Sequence, residues 1–222
     1  DSNKGIDIPQ RRTFVSYDRH VQTTEDLLAD RFGIGIKRAR ATLRATLQKC
    51  TRSAILPLSR RYKADRQYGL KRLDARFATN TFYANDKSLV GNTCCQLYSH
   101  KSGFAAPYHM PNDNGESIGR SLSDFIHEYG IPNHLTFDSA KAQVGRNTQF
   151  MRLIRQHDIN WHVLQPRRPN ENFAEGCIRE VKKRYYRLQH KLNVPNRLWD
   201  FLVTYVCETM NVTVSSSRYA GG

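Results

Sequence analysis

The stretch RFATNTFYA, residues 76–84, decides how this chain is read. Phe77, Phe82 and Tyr83, with Thr79 and Thr81, are residue types that favour a pleated, half-buried strand. Asn80 stands at its centre. A carboxamide occupies a place where an acid would make chemical sense, and its meaning depends on two other residues, Asp138 and Glu175.

Downstream of that strand, TCCQLY (93–98) and GFAAPYHM (103–110) read as two more strands, with Gly91-Asn92 and Ser102-Gly103 as the turns between them. A helix is predicted over about 115–129, with Ile118, Leu122, Phe125, Ile126 and Tyr129 on one stripe. Gly130 stops it and Pro132 lies just beyond. HLTFD (134–138) is a fourth strand, 146–158 an amphipathic helix on Phe150, Leu153 and Ile154, and INWHVLQP (159–166) a fifth strand. A long helix follows over about 172–192, with Ala174, Ile178, Val181, Tyr185, Leu188 and Leu192 spaced by fours and threes. After Pro195, residues 196–210 make a last helix, whose Trp199, Phe201 and Tyr205 suit core packing better than self-association. The order β-β-β-α-β-α-β-α-α predicts an α/β fold with a mixed five-stranded sheet and helices on both faces.

Upstream the texture differs. Residues 1–20 read as a loose arm. Residues 21–50 carry two short helices about a Gly33–Gly35 break, with Thr24 as N-cap and Ile36, Ala39, Leu43 and Leu47 near helical spacing. That pattern suits a helix-turn-helix-like appendage. Lys37, Arg38, Arg40 and Arg44 would make its second helix a DNA-contacting one. A plain helical hairpin with a solvated basic face is the competing reading. Residues 51–75 form a basic connector, 76–212 the core, and 213–222 a flexible tail.

The 222 residues carry a net charge of +15, which points to a polyanionic partner, most often nucleic acid. The five cysteines are odd in number and include no C-x-x-C pair, which argues against a disulfide framework or a Cys-rich zinc site and favours a reducing compartment. No apolar run nears the roughly 20 residues that cross a bilayer, so no membrane partner is expected. The first residue is Asp1, so the chain reads as a piece of something longer.

Asp138 falls at the carboxyl end of the fourth strand, where open α/β sheets place their sites. An ordinary cap is the alternative. Glu175 falls in the first turn of the long helix, where the dipole favours an acid. Arg179, Lys182 and Tyr186 follow at +4, +7 and +11 and share its face. That suits a metal-binding carboxylate beside a phosphate backbone, although a Glu–Arg pair would also explain it. Two-metal phosphoryl chemistry needs several carboxylates around two Mg²⁺ ions about 4 Å apart. A third ligand should come from a central strand, and Asn80 holds that place.

The blocks FATNTFYANDKSLVGNTCCQLY, GESIGRSLSDFIHEYGIPNHLTFDSAKAQVG and QPRRPNENFAEGCIREVKKR resemble the integrases of retroviruses and LTR retrotransposons, with the copia-like branch nearest. The resemblance covers about residues 76–210 and implies a ribonuclease-H-like fold. It implies an acid triad in which Asp138 and Glu175, with 36 residues between them, are two members and metal ligands. It implies two Mg²⁺ or Mn²⁺ ions, end processing and strand transfer on DNA, a homo-oligomer, and a nuclear or element-particle location inside the cell. Arg179, Lys182 and Lys183 match DNA-approaching positions. The departure is Asn80, where the family has Asp: TNT replaces TDT. A neutral amide cannot offset two dications, so metal binding and turnover are expected to be impaired. Asp86, six residues on, is poorly placed to substitute. The family's His₂Cys₂ zinc module has no match, so no zinc is expected. Two alternatives remain: a non-catalytic DNA-binding protein derived from an integrase, and a ribonuclease H or transposase of the same fold.

Overall fold

The computed structural model describes residues 23–45, 70–139, 145, 148–164 and 173–214. The expected arm, most of the basic connector, Leu47, residues 169–172 of the lead-in to Glu175 and residues 215–222 of the tail lie outside them. The chain folds as two compact units, residues 1–50 and 51–222.

In the first unit, α1 (Glu25–Phe32) is capped by Thr24, whose hydroxyl accepts from the Leu27 N–H at 3.3 Å. Gly33 ends it in the left-handed region, φ 61°, which costs glycine nothing. The chain turns there into α2 (Ile36–Ala45). Leu28, Ile34 and Ala39 make a small core with Leu43. Ile36, expected on the buried stripe, is 50% exposed, and Thr42 is buried in its stead.

The second unit is built on a sheet of order β3-β2-β1-β4-β5. Its strands are β1 (Arg72–Tyr83), β2 (Cys94–His100), β3 (Ala105–Met110), β4 (Ile131–Phe137) and β5 (Asn160–Val163). β1 pairs antiparallel with β2, and β2 with β3; β1–β4 and β4–β5 are parallel. The helices are α3 (Gly115–Glu128), α4 (Gln149–Gln156), α5 (Phe173–Leu192) and α6 (Trp199–Val212), the last entered through a 3₁₀ turn, Asn196–Leu198. The mixed sheet and the element order are the ones expected.

Period-two alternation splits each central strand between two cores. Phe77, Cys94 and Tyr98 pack with α3 and α4 on one face. Phe82, Cys95 and Leu97 pack with α5 and α6 on the other. Because both faces are covered, β2 is buried from Cys94 to Ser99 and shows no polar alternation.

Several boundaries depart from expectation. β1 starts at Arg72, four residues early, and Arg72 donates to the His157 and Asp158 carbonyls. β4 starts at Ile131 and contains Pro132. Proline is tolerated there because β5 pairs with β4 only from His134 onward. β4 ends at Phe137, so Asp138 follows the strand. On α5, Leu192 is 55% exposed, while Arg184 is buried and paired with Glu180 at 2.8 Å. On α6, Trp199 is core but Phe201 is exposed.

Candidate functional site

Asn80 lies on the sheet face that carries α5 and α6. It pairs with Leu97, which belongs to that core. Ala78, two residues before it, pairs in parallel with Thr136. The parallel register between β1 and β4 ends at that pair, and Asp138 follows Phe137, the last residue of β4. Asn80 lies three residues before the end of β1, and Asp138 one residue past the end of β4. Each side chain accepts from the next backbone N–H: Asn80 Oδ1 from Thr81 at 2.8 Å, Asp138 Oδ1 from Ser139 at 2.7 Å.

α5 brings the remaining groups. Glu175 is in its first turn and half-buried. Asn80, Thr81, Phe82, Glu175, Arg179 and Lys182 line one groove. Lys182 Nζ sits 5.6 Å from the centroid of the Phe82 ring, a cation–π contact that fixes the ammonium at the groove wall. Phe82 is the residue sequence reasoning missed. Its signal was there, since it is two residues from Asn80 and must share its face. Beneath β1, on the opposite face, Gln96 donates to Thr79 and accepts from Thr81. This buried network holds the strand that presents Asn80.

Not every expected residue joins the groove. Asp138 is exposed at the neighbouring strand end and is not among the lining residues. Lys183 is exposed on α5 but also outside the lining. Lys37, Arg38, Arg40 and Arg44 belong to the first unit. There, Arg40 is engaged by Glu25 through Nε and Nη2, at 2.8–2.9 Å, which lowers the pKa of Glu25. Arg40 is therefore tied within the hairpin rather than presented as Lys37 and Arg44 are.

A two-metal centre does not fit these donors. Among the described residues, no three His, Cys, Asp or Glu side chains gather as a metal site. The groove offers one carboxylate and one neutral amide beside two cations. Asp138 adds a second carboxylate at the strand end, but the charge expected of a first acid is missing.

Tyr83, at the end of β1, donates to Asp113 at 2.7 Å, and that bond pushes its phenol up to about 12. The hydroxyl stays protonated across the neutral range. Among the described residues no helix is long and apolar enough to cross a membrane.

No family model matches the chain, and no curated protein matches it in sequence. Among solved structures, the catalytic core domain of BIV integrase is similar over 60% of this chain and 82% of that one, at 14% identity and a TM-score of 0.47.

Proposed function

We propose that the second unit is a DNA-binding core of the integrase type whose metal-dependent chemistry is impaired by Asn80. The observation that carries this reading is the groove itself. Asn80 of β1 and Glu175 of α5 line it together, with Arg179 and Lys182. The integrase-like sequence blocks and the net charge of +15 support it. Arg179 and Lys182 would hold a backbone phosphate by charge-assisted hydrogen bonds. Asp138 and Glu175 would remain from the acid triad. With a complete set of carboxylates, two metal ions would supply activation of the attacking oxygen and stabilisation of the leaving 3′-oxygen of a DNA phosphodiester. Here one charge of that set is absent, so binding outlasts turnover. Exposed Phe201 and Tyr205 on α6 support the family's expectation of a second copy.

The test is duplex DNA binding across a salt series, with and without Mg²⁺. The expected result is affinity that falls steeply with salt and does not depend on Mg²⁺. Binding that appears only with Mg²⁺ would oppose the reading, because the metal centre would then be intact.

A further inference from the structure

The groove does not end at Lys182. Phe82, Tyr83 and Lys182 also line an adjoining cavity of about 220 Å³, between the end of β1, α5 and the start of α6. Its walls carry Tyr185 and Tyr186, and Asp86 lies at its rim. Tyr186 is 57% exposed, so the mouth opens to solvent on an aromatic ring. The two tyrosines meet edge to face, centroids 5.2 Å apart. Gln189 and Asn196 add amides, joined to each other at 2.7 Å. Trp199 also lines the cavity. It is 4% exposed, and its indole N–H has no hydrogen-bond partner among the described residues. Buried indole N–H groups ordinarily find one.

We infer that this cavity takes one unpaired nucleobase of the DNA strand whose phosphate lies on Lys182. The inference rests on the DNA-binding reading and adds a preference for unpaired DNA to it. Three features choose this occupant. The cavity is smaller than a typical site for a drug-sized ligand and suits a single flat ring system. Aromatic walls stack on any base, and amides with a carboxylate can meet the polar edge of one. Tyr186 lies four residues beyond Lys182, about 6 Å along the helix axis, so a base and its own phosphate can be held together. Asp86, three residues past the end of β1 and among the lining residues, acquires a role as a hydrogen-bond acceptor for a base amine.

The test compares three DNA probes: a blunt duplex, the same duplex with a short single-stranded overhang, and that overhang with its bases replaced by abasic residues. The overhang duplex should bind about 5- to 100-fold more tightly than the blunt one. The abasic overhang should lose that gain. Tyr186→Ala, at an exposed position that does not endanger folding, should bring the overhang affinity down to that of the blunt duplex. Equal binding of all three probes, or a gain that survives both the abasic probe and Tyr186→Ala, overturns the inference while leaving DNA binding in place. No binding to any probe overturns the DNA-binding reading and this inference with it.

Discussion

Asn80, on the central strand, and Glu175, in the first turn of α5, line the same groove, and two cations, Arg179 and Lys182, share that lining. A carboxylate at position 80 would put a second carboxylate into the groove beside Glu175 and favour metal ions there. The amide leaves Arg179 and Lys182 in excess over Glu175, a balance that favours an anion such as a phosphate.

That balance makes Arg179→Ala and Lys182→Ala the first changes to examine. Both side chains are exposed, so stability should move by less than about 0.5 kcal/mol. Each should weaken duplex binding at all sequences alike and reduce the slope of log affinity against log salt by about 1. Filter binding at several salt concentrations reads both quantities. An unchanged slope would remove these residues from the phosphate contact.

His109 predicts an acid-sensitive fold. Its Nε2 lies 2.9 Å from the Thr204 hydroxyl of α6, and burial holds its imidazole down to about 4, against an opposing pull from Asp200. The unfolded chain takes up this proton near pH 6.5. Stability from the neutral imidazole is therefore complete above pH 6.5 and is lost as pH falls towards 4. Between pH 7.5 and 5 the loss is about 2 kcal/mol. Urea melts at those two pH values check it, and His109→Gln should flatten this part of the profile.

Phe125 is the centre of the core on the α3 side. It is fully buried, stacked on Tyr98 with centroids 4.7 Å apart, and edge-on to Phe77 at 5.2 Å. Phe125→Ala should cost about 3–5 kcal/mol, measured by chemical denaturation. A cost below about 1 kcal/mol would mean this core is not packed as described.

Gly130 links α3 to β4 at φ +120°, and a Cβ there would fall 2.4 Å from the Lys71 carbonyl oxygen. That carbonyl accepts the Ile131 N–H at 2.7 Å and opens the β1–β4 pairing. Gly130→Ala should destabilise the protein by more than about 1 kcal/mol, because strain and the clash act together. The same melts measure it.

The order of the elements was legible because periodicity changes visibly along the chain. The α3 and α5 stripes are helical, the apolar runs of β1 and β2 are short, and glycines separate them. The extension of β1 back to Arg72 was not legible. Arg72, Asp74 and Arg76 are charged, and what makes them strand is the neighbouring β4 and a register shift between Leu73 and Arg76. Pro132 fell outside the expected fourth strand, 134–138, because nothing local tells where β5 begins to pair with it. The burial of Arg184, paired with Glu180 one helical turn away, left no mark in the sequence pattern. At the site, Asn80 and Glu175 were legible as positions, but their meeting in one groove needs α5 to cross β1. The Lys182–Phe82 contact depends on the same crossing.

The most direct measurement is strand transfer on short DNA duplexes in Mg²⁺ or Mn²⁺, comparing the protein with Asn80→Asp. Binding should be similar in the two, and strand transfer should appear only with Asn80→Asp, because the added carboxylate restores a negative charge to the groove that Glu175 lines. Equal strand transfer by the unaltered protein would contradict this assignment of Asn80. So would DNA binding by both proteins with strand transfer by neither.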